Sequence, residues 1–136
     1  MEFIRTKFKW LMLISGCLTT TMFYGLFAPH AALHSMFGAS FDGNLESIIV
    51  RSWSALIGLI GIMLIYGALV ERYRVFAATM GALSKSIFVF LLLAYGQDYL
   101  STAAPALIFD VMVILATLSF LVALKCHDKT ASTIPE

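Results

Sequence analysis

Charge is what this chain has least of. Lysine, arginine, aspartate and glutamate make up 12% of its 136 residues, about half the roughly 25% of a soluble globular domain. No lysine- or arginine-rich tract is long enough to track a phosphate backbone, so nucleic acid is not an expected partner. Cysteine is nearly absent too. Cys17 and Cys126 are too few for a disulfide framework and form no CxxC or Cys–His metal pattern. Each reads as an ordinary thiol that behaves as a small hydrophobe.

Apolar sequence fills the space that charge leaves. Hydrophobic residues are 60% of the chain and mean hydropathy is +0.91. Four apolar runs stand out, over residues 10–28, 48–70, 75–96 and 105–124. Each is close to the ~20 residues that cross ~30 Å of hydrocarbon at ~1.5 Å per residue. A helix is the open segment that satisfies its own backbone in lipid, so four transmembrane helices are predicted in a single integral membrane domain over 1–136. The basic start and the Ile14-Ser15-Gly16-Cys17 stretch resemble a lipoprotein leader, but the apolar run continues past Cys17. The expectation is an uncleaved signal anchor.

The basic residues set the orientation. Arg5, Lys7, Lys9, Arg72, Arg74, Lys125 and Lys129 fall on one side of the four spans, while the other connections carry only Asp42, Glu46 and Asp98. The positive-inside rule places both termini in the cytoplasm. Short connections favour antiparallel neighbours, so the predicted fold class is all-α, a four-transmembrane-helix antiparallel bundle. The polar tail from His127 onward is expected to fray.

Within the first outer loop, Pro29 suits the first position of a helix and Gly38 its end. A short interfacial helix is expected there, with Leu33, Met36 and Phe37 toward the membrane. His30 and His34 then share one face at i, i+4. That spacing suits a metal ion or a haem, and equally an ordinary polar face on the membrane surface. No carboxylate or cysteine stands at a ligand spacing beside them.

Three charges lie inside the predicted spans: Arg51, Lys85 and Asp110. A charge at the bilayer centre costs about 2.5–3.5 kcal/mol by insertion scales, so such residues face the bundle and find partners. Arg51 shares a helical face with Ser54, Ala55 and Gly58, Lys85 with Ala78, Gly81 and Ala82, and Asp110 with Ala103, Ala106 and Thr117. Small residues of this kind permit close helix approach. Counting from the span boundaries puts Arg51 and Asp110 at one height, where the planar guanidinium suits a carboxylate, and Lys85 about 8 Å lower. Lys85 is expected to reach toward Asp110 or toward hydroxyls such as Thr19 and Ser52. Two cations against one anion leave two readings: an uncharged Lys85, or a further anion or lipid headgroup that completes the site. The cluster serves either to fix helix register or to bind a ligand.

Pro29, Leu33, Phe37-Gly38, Arg51, Gly58 and Gly61, followed by a basic hairpin and two further spans, form a pattern over about residues 10–124. In this order the chain resembles the small four-helix membrane proteins of the DoxX-like superfamily, and among them the members of unknown function. Its namesake branch includes a membrane subunit of a thiosulfate:quinone oxidoreductase, so the resemblance implies quinone or thiol redox chemistry, although this chain has no redox cysteine pair.

The first functional expectation is therefore a non-enzymatic membrane subunit or accessory protein. In it Arg51, Lys85 and Asp110 surround a lipid or quinone headgroup, and small-residue faces serve self-association or other membrane subunits. The alternative is a redox-linked enzyme component with haem or metal at His30 and His34. A small ion or solute carrier is a third reading.

Overall fold

The computed structural model of the chain describes its backbone over residues 2–131 and its side chains over residues 5–126. Among the described residues all regular structure is helical. Helix α1 (Glu2–Thr20) runs through a 3₁₀ turn (Thr21–Phe23) into a single turn, α2 (Tyr24–Phe27). After a break at Ala28 the chain forms α3 (Pro29–Phe37), then α4 (Asn44–Leu69). The 3₁₀ turn Glu71–Tyr73 joins α4 to α5 (Arg74–Tyr95), and a second one, Gln97–Tyr99, leads to α6 (Leu100–Ala131).

Four segments among the described residues are long and apolar enough to cross a membrane: Arg5–Phe27, Asn44–Leu69, Glu71–Tyr95 and Gln97–Cys126. They pack as an antiparallel bundle in which α1 lies along α4, α4 along α5 and α5 along α6, with α1 also touching α6. The expected fraying from His127 is not met through Ala131, which is still helical; the last five positions lie outside the described residues.

The expected helix in the first connection is present with its predicted signals. Pro29 stands at the first position, and Gly38 ends the helix with φ of 70°, in the left-handed region that favours glycine. Its apolar face lies on the bundle: Phe37 packs edge-on to Tyr99 and tilted against Trp53 and Phe88. A short helix gains more from this ready-made aromatic seat than from lying loose on lipid.

The two ends of the bundle are built differently. At the end carrying the termini, Phe8, Met12, Leu64, Ala68, Ala77, Ala78 and Phe120 form a continuous core, and Phe8 stacks on Phe120 at 3.9 Å to tie α1 to α6. Glu71 accepts from Arg5 Nη1 and Arg74 Nη1, each at 3.2 Å. Arg74 is buried and also donates to the Ala68 carbonyl at 3.2 Å, closing one of the orphan carbonyls at the end of α4.

Close approach of α1 and α4 depends on paired glycines. A Cβ on Gly61 would lie 2.8 Å from the Gly16 carbonyl oxygen and 2.5 Å from the Thr20 nitrogen; one on Gly16 would lie 2.9 Å from the Gly61 carbonyl oxygen. All three obstacles are backbone atoms, which cannot step aside. Without a hydrophobic drive between helices in lipid, this contact is a main source of association. We expect Gly61→Val to lower stability by about 1–3 kcal/mol, read by equilibrium unfolding in mixed detergent–SDS micelles. Leu59→Val, on an exposed face, should change little; equal losses in both would contradict this packing.

Candidate functional site

Lys85 and Asp110 meet in the middle of the bundle. Lys85 lies ten residues before the end of α5 at Tyr95, and Asp110 ten residues after the start of α6 at Leu100. At ~1.5 Å per residue both are about 15 Å from the same end of the bundle. The Lys85 ammonium donates to Asp110 Oδ1, and the two side chains are only 10% and 13% exposed. The ammonium also stands 5.7 Å from the centroid of the Phe109 ring, a range in which a ring face attracts a cation.

The expected Arg51–Asp110 pair does not form. Span four was expected to begin at Pro105, yet α6 begins at Leu100 and carries Pro105 in its second turn. Transmembrane helices accommodate a proline this way because neighbouring groups make up for the missing N–H. The earlier start pushes Asp110 down to the level of Lys85; α4 likewise begins at Asn44, ahead of the expected 48, so Arg51 lies about 10 Å from its helix start and misses Asp110 through the side it faces more than through height. Ser54, Gly58 and Gly61 do form the buried stripe of α4, but Arg51 lies beside it with an exposed side chain.

Arg51 has a different duty. Its Nη1 donates to the Leu26 carbonyl, and its Nε to Ser47 Oγ at 3.4 Å. Leu26 sits at the C-terminal end of α2, where the break at Ala28 and the missing N–H of Pro29 leave carbonyls without helical donors. A cation is favoured at that end of a helix. Arg51 thus fastens the break between α2 and α3 to α4, as Arg74 fastens the end of α4 to the next turn.

Lys85 and Asp110 form part of the wall of a partly open cavity of about 390 Å³ lined by residues of all four spans and α3. Trp53, Phe88 and Phe109 supply aromatic wall, and Met22 and Met36 flexible apolar wall. Thr19 and Ser84 add two hydroxyls. Elsewhere the hydroxyls of Thr20, Thr21, Ser86, Thr117 and Ser119 return to carbonyls of their own helices, while those of Ser15 and Ser54, buried outside the cavity lining, have no partner among the described residues. Those of Thr19 and Ser84 have no hydrogen-bond partner among the described residues. A mostly apolar hollow with a few converging polar groups is the usual form of a small-molecule site, and its volume falls within the ~300–1,000 Å³ of such sites.

His30 and His34 both stand on α3. The His30 ring lies on Phe41 at 4.3 Å, with Nδ1 3.0 Å from Ser40 Oγ. No group of three or more His, Cys, Asp or Glu able to hold a metal occurs among the described residues. Of the cavity residues, Lys85, Asp110, Thr19 and Ala106 stood out in the sequence; Trp53, Ser84, Phe88 and Phe109 did not. Their signal is local. Phe88 follows Lys85 by one helical turn, and Ser84 and Phe109 stand directly before Lys85 and Asp110 in the chain.

The chain matches no protein-family model, no curated protein and no solved structure. The architecture places it among multi-pass helical membrane proteins.

Arg51→Met should release the break while leaving the bundle folded. We expect hydrogen exchange at residues 26–31 to quicken at least tenfold, with exchange in the middle of α5 unchanged. Exchange at 26–31 as slow as in the wild type would contradict the capping role.

Proposed function

We propose that the chain is a membrane accessory protein whose cavity holds the polar head of a membrane amphiphile, a lipid or a quinone, against Lys85 and Asp110. The observation that carries this reading is the ion pair in the wall of an otherwise apolar cavity, next to the unused hydroxyls of Thr19 and Ser84. A pair that only fixed helix register would do so best in solid packing, where its geometry is held and neighbouring groups offset the cost of taking ions out of water. The core at the terminal end shows that this sequence can pack solidly. Around Lys85 and Asp110 it leaves space.

A place in the DoxX-like superfamily fits this reading and would favour a quinone among the candidate amphiphiles. Arg5, Lys7, Lys9, Arg72, Arg74 and Lys125 lie at the terminal end, and Asp42, Glu46 and Asp98 lie near the other. This distribution supports an orientation with both termini in the cytoplasm of a bacterial inner membrane.

The test is native mass spectrometry of protein released gently from its own membrane. Wild type should carry one amphiphile per chain. Ala106→Phe, which fills the cavity from α6, should lose it while keeping the helical circular dichroism of the wild type. Equal occupancy in both would refute the assignment.

A further inference from the structure

The wall of the cavity contains charges, yet its formal sum is zero. Lys85 and Asp110 are joined to one another, and Arg51, the nearest other charge along α4, is held at the Leu26 carbonyl and is not part of the lining. The remaining polar groups there are uncharged as well: the hydroxyls of Thr19 and Ser84, each able to donate and accept, and the indole N–H of Trp53, which only donates. An anionic head entering this space would have to share the Lys85 ammonium and would meet the Asp110 carboxylate in a medium that screens little. A cationic head would meet Lys85 in the same way, and a zwitterionic head could pair its own charges with the wall only by parting Lys85 from Asp110. A head without formal charge can accept from Lys85 or a hydroxyl, or donate to Asp110, without separating the pair.

From this balance we infer that the cavity selects an amphiphile whose head carries no formal charge but bears carbonyl or hydroxyl oxygens, and rejects phospholipid heads. The inference rests on the cavity being a headgroup site, as proposed above. Asp110 is then the residue that sets charge selectivity: it cancels Lys85, which alone would draw anions.

The experiment is a competition in detergent. The full chain is stripped of bound lipid and mixed with equal concentrations of four probes: decylubiquinone and monodecanoylglycerol, whose heads are uncharged, and dioctanoyl-phosphatidylglycerol and dioctanoyl-phosphatidylethanolamine, whose heads are charged. Adduct masses are compared by native mass spectrometry. We expect at least one uncharged probe to exceed both phospholipids tenfold or more. A phospholipid adduct as abundant as the better uncharged one would overturn the inference and leave the headgroup site standing. No adduct with any probe would overturn both.

Asp110→Asn leaves the charge of Lys85 unanswered and should shift the ratio toward phosphatidylglycerol by tenfold or more; an unchanged ratio would overturn the role given to Asp110. Should that variant fail to fold, Lys85→Gln with Asp110→Asn keeps shape and hydrogen bonding without charge. It should retain the wild-type preference, and a shift toward the anionic probe would refute charge balance as the cause.

Discussion

A lysine and an aspartate that find each other in the middle of the bundle are the constraint that the rest of this molecule accommodates. Either ion alone would be expensive in hydrocarbon. Together they are tolerable only if their helices hold the same height and present the same side. Lys85 and Asp110 meet both conditions because each lies ten residues from the loop end of its helix. On α5 the small residues Ala77, Ala78 and Gly81 share the buried side with Lys85, and Leu83, Ile87 and Phe90 are exposed on the other.

Above and below that layer the chain solves different problems. The terminal end is closed by small residues, an aromatic stack and a glutamate held between two arginines. The opposite end is roofed by α3, whose Phe37 sits among Trp53, Phe88 and Tyr99. Two arginines do similar work at the two ends: Arg74 and Arg51 each answer a backbone carbonyl where a helix stops. In both places the cation replaces the donors that an uninterrupted helix would have supplied.

Much of this is legible in the residues. Hydropathy marks the spans, Pro29 and Gly38 bound α3 as the structure has them, and helical period puts Lys85 on the packed side of α5. The partner of Asp110 is legible in part: the reach of Lys85 toward it is expected, but the shared height is not, because depth is counted from a helix end and that end was hidden. Pro105 looks like a start, whereas the weakly apolar Leu100-Ser101-Thr102-Ala103-Ala104 already turns as helix. Five residues of error move a side chain about 7.5 Å along the axis, enough to bring Asp110 level with Lys85. The cavity is illegible for a different reason. It is the volume left between side chains from several helices, and no periodicity within one helix records what its neighbours fail to fill.

The most direct measurement is a double-mutant cycle on stability in detergent, with Lys85→Met, Asp110→Leu and the two combined. If the charges answer one another, Asp110→Leu alone strands a buried cation and should cost about 3–5 kcal/mol. The combined variant should then recover most of that loss. Losses that simply add, with the combined variant the least stable, would mean that Lys85 and Asp110 do not depend on each other.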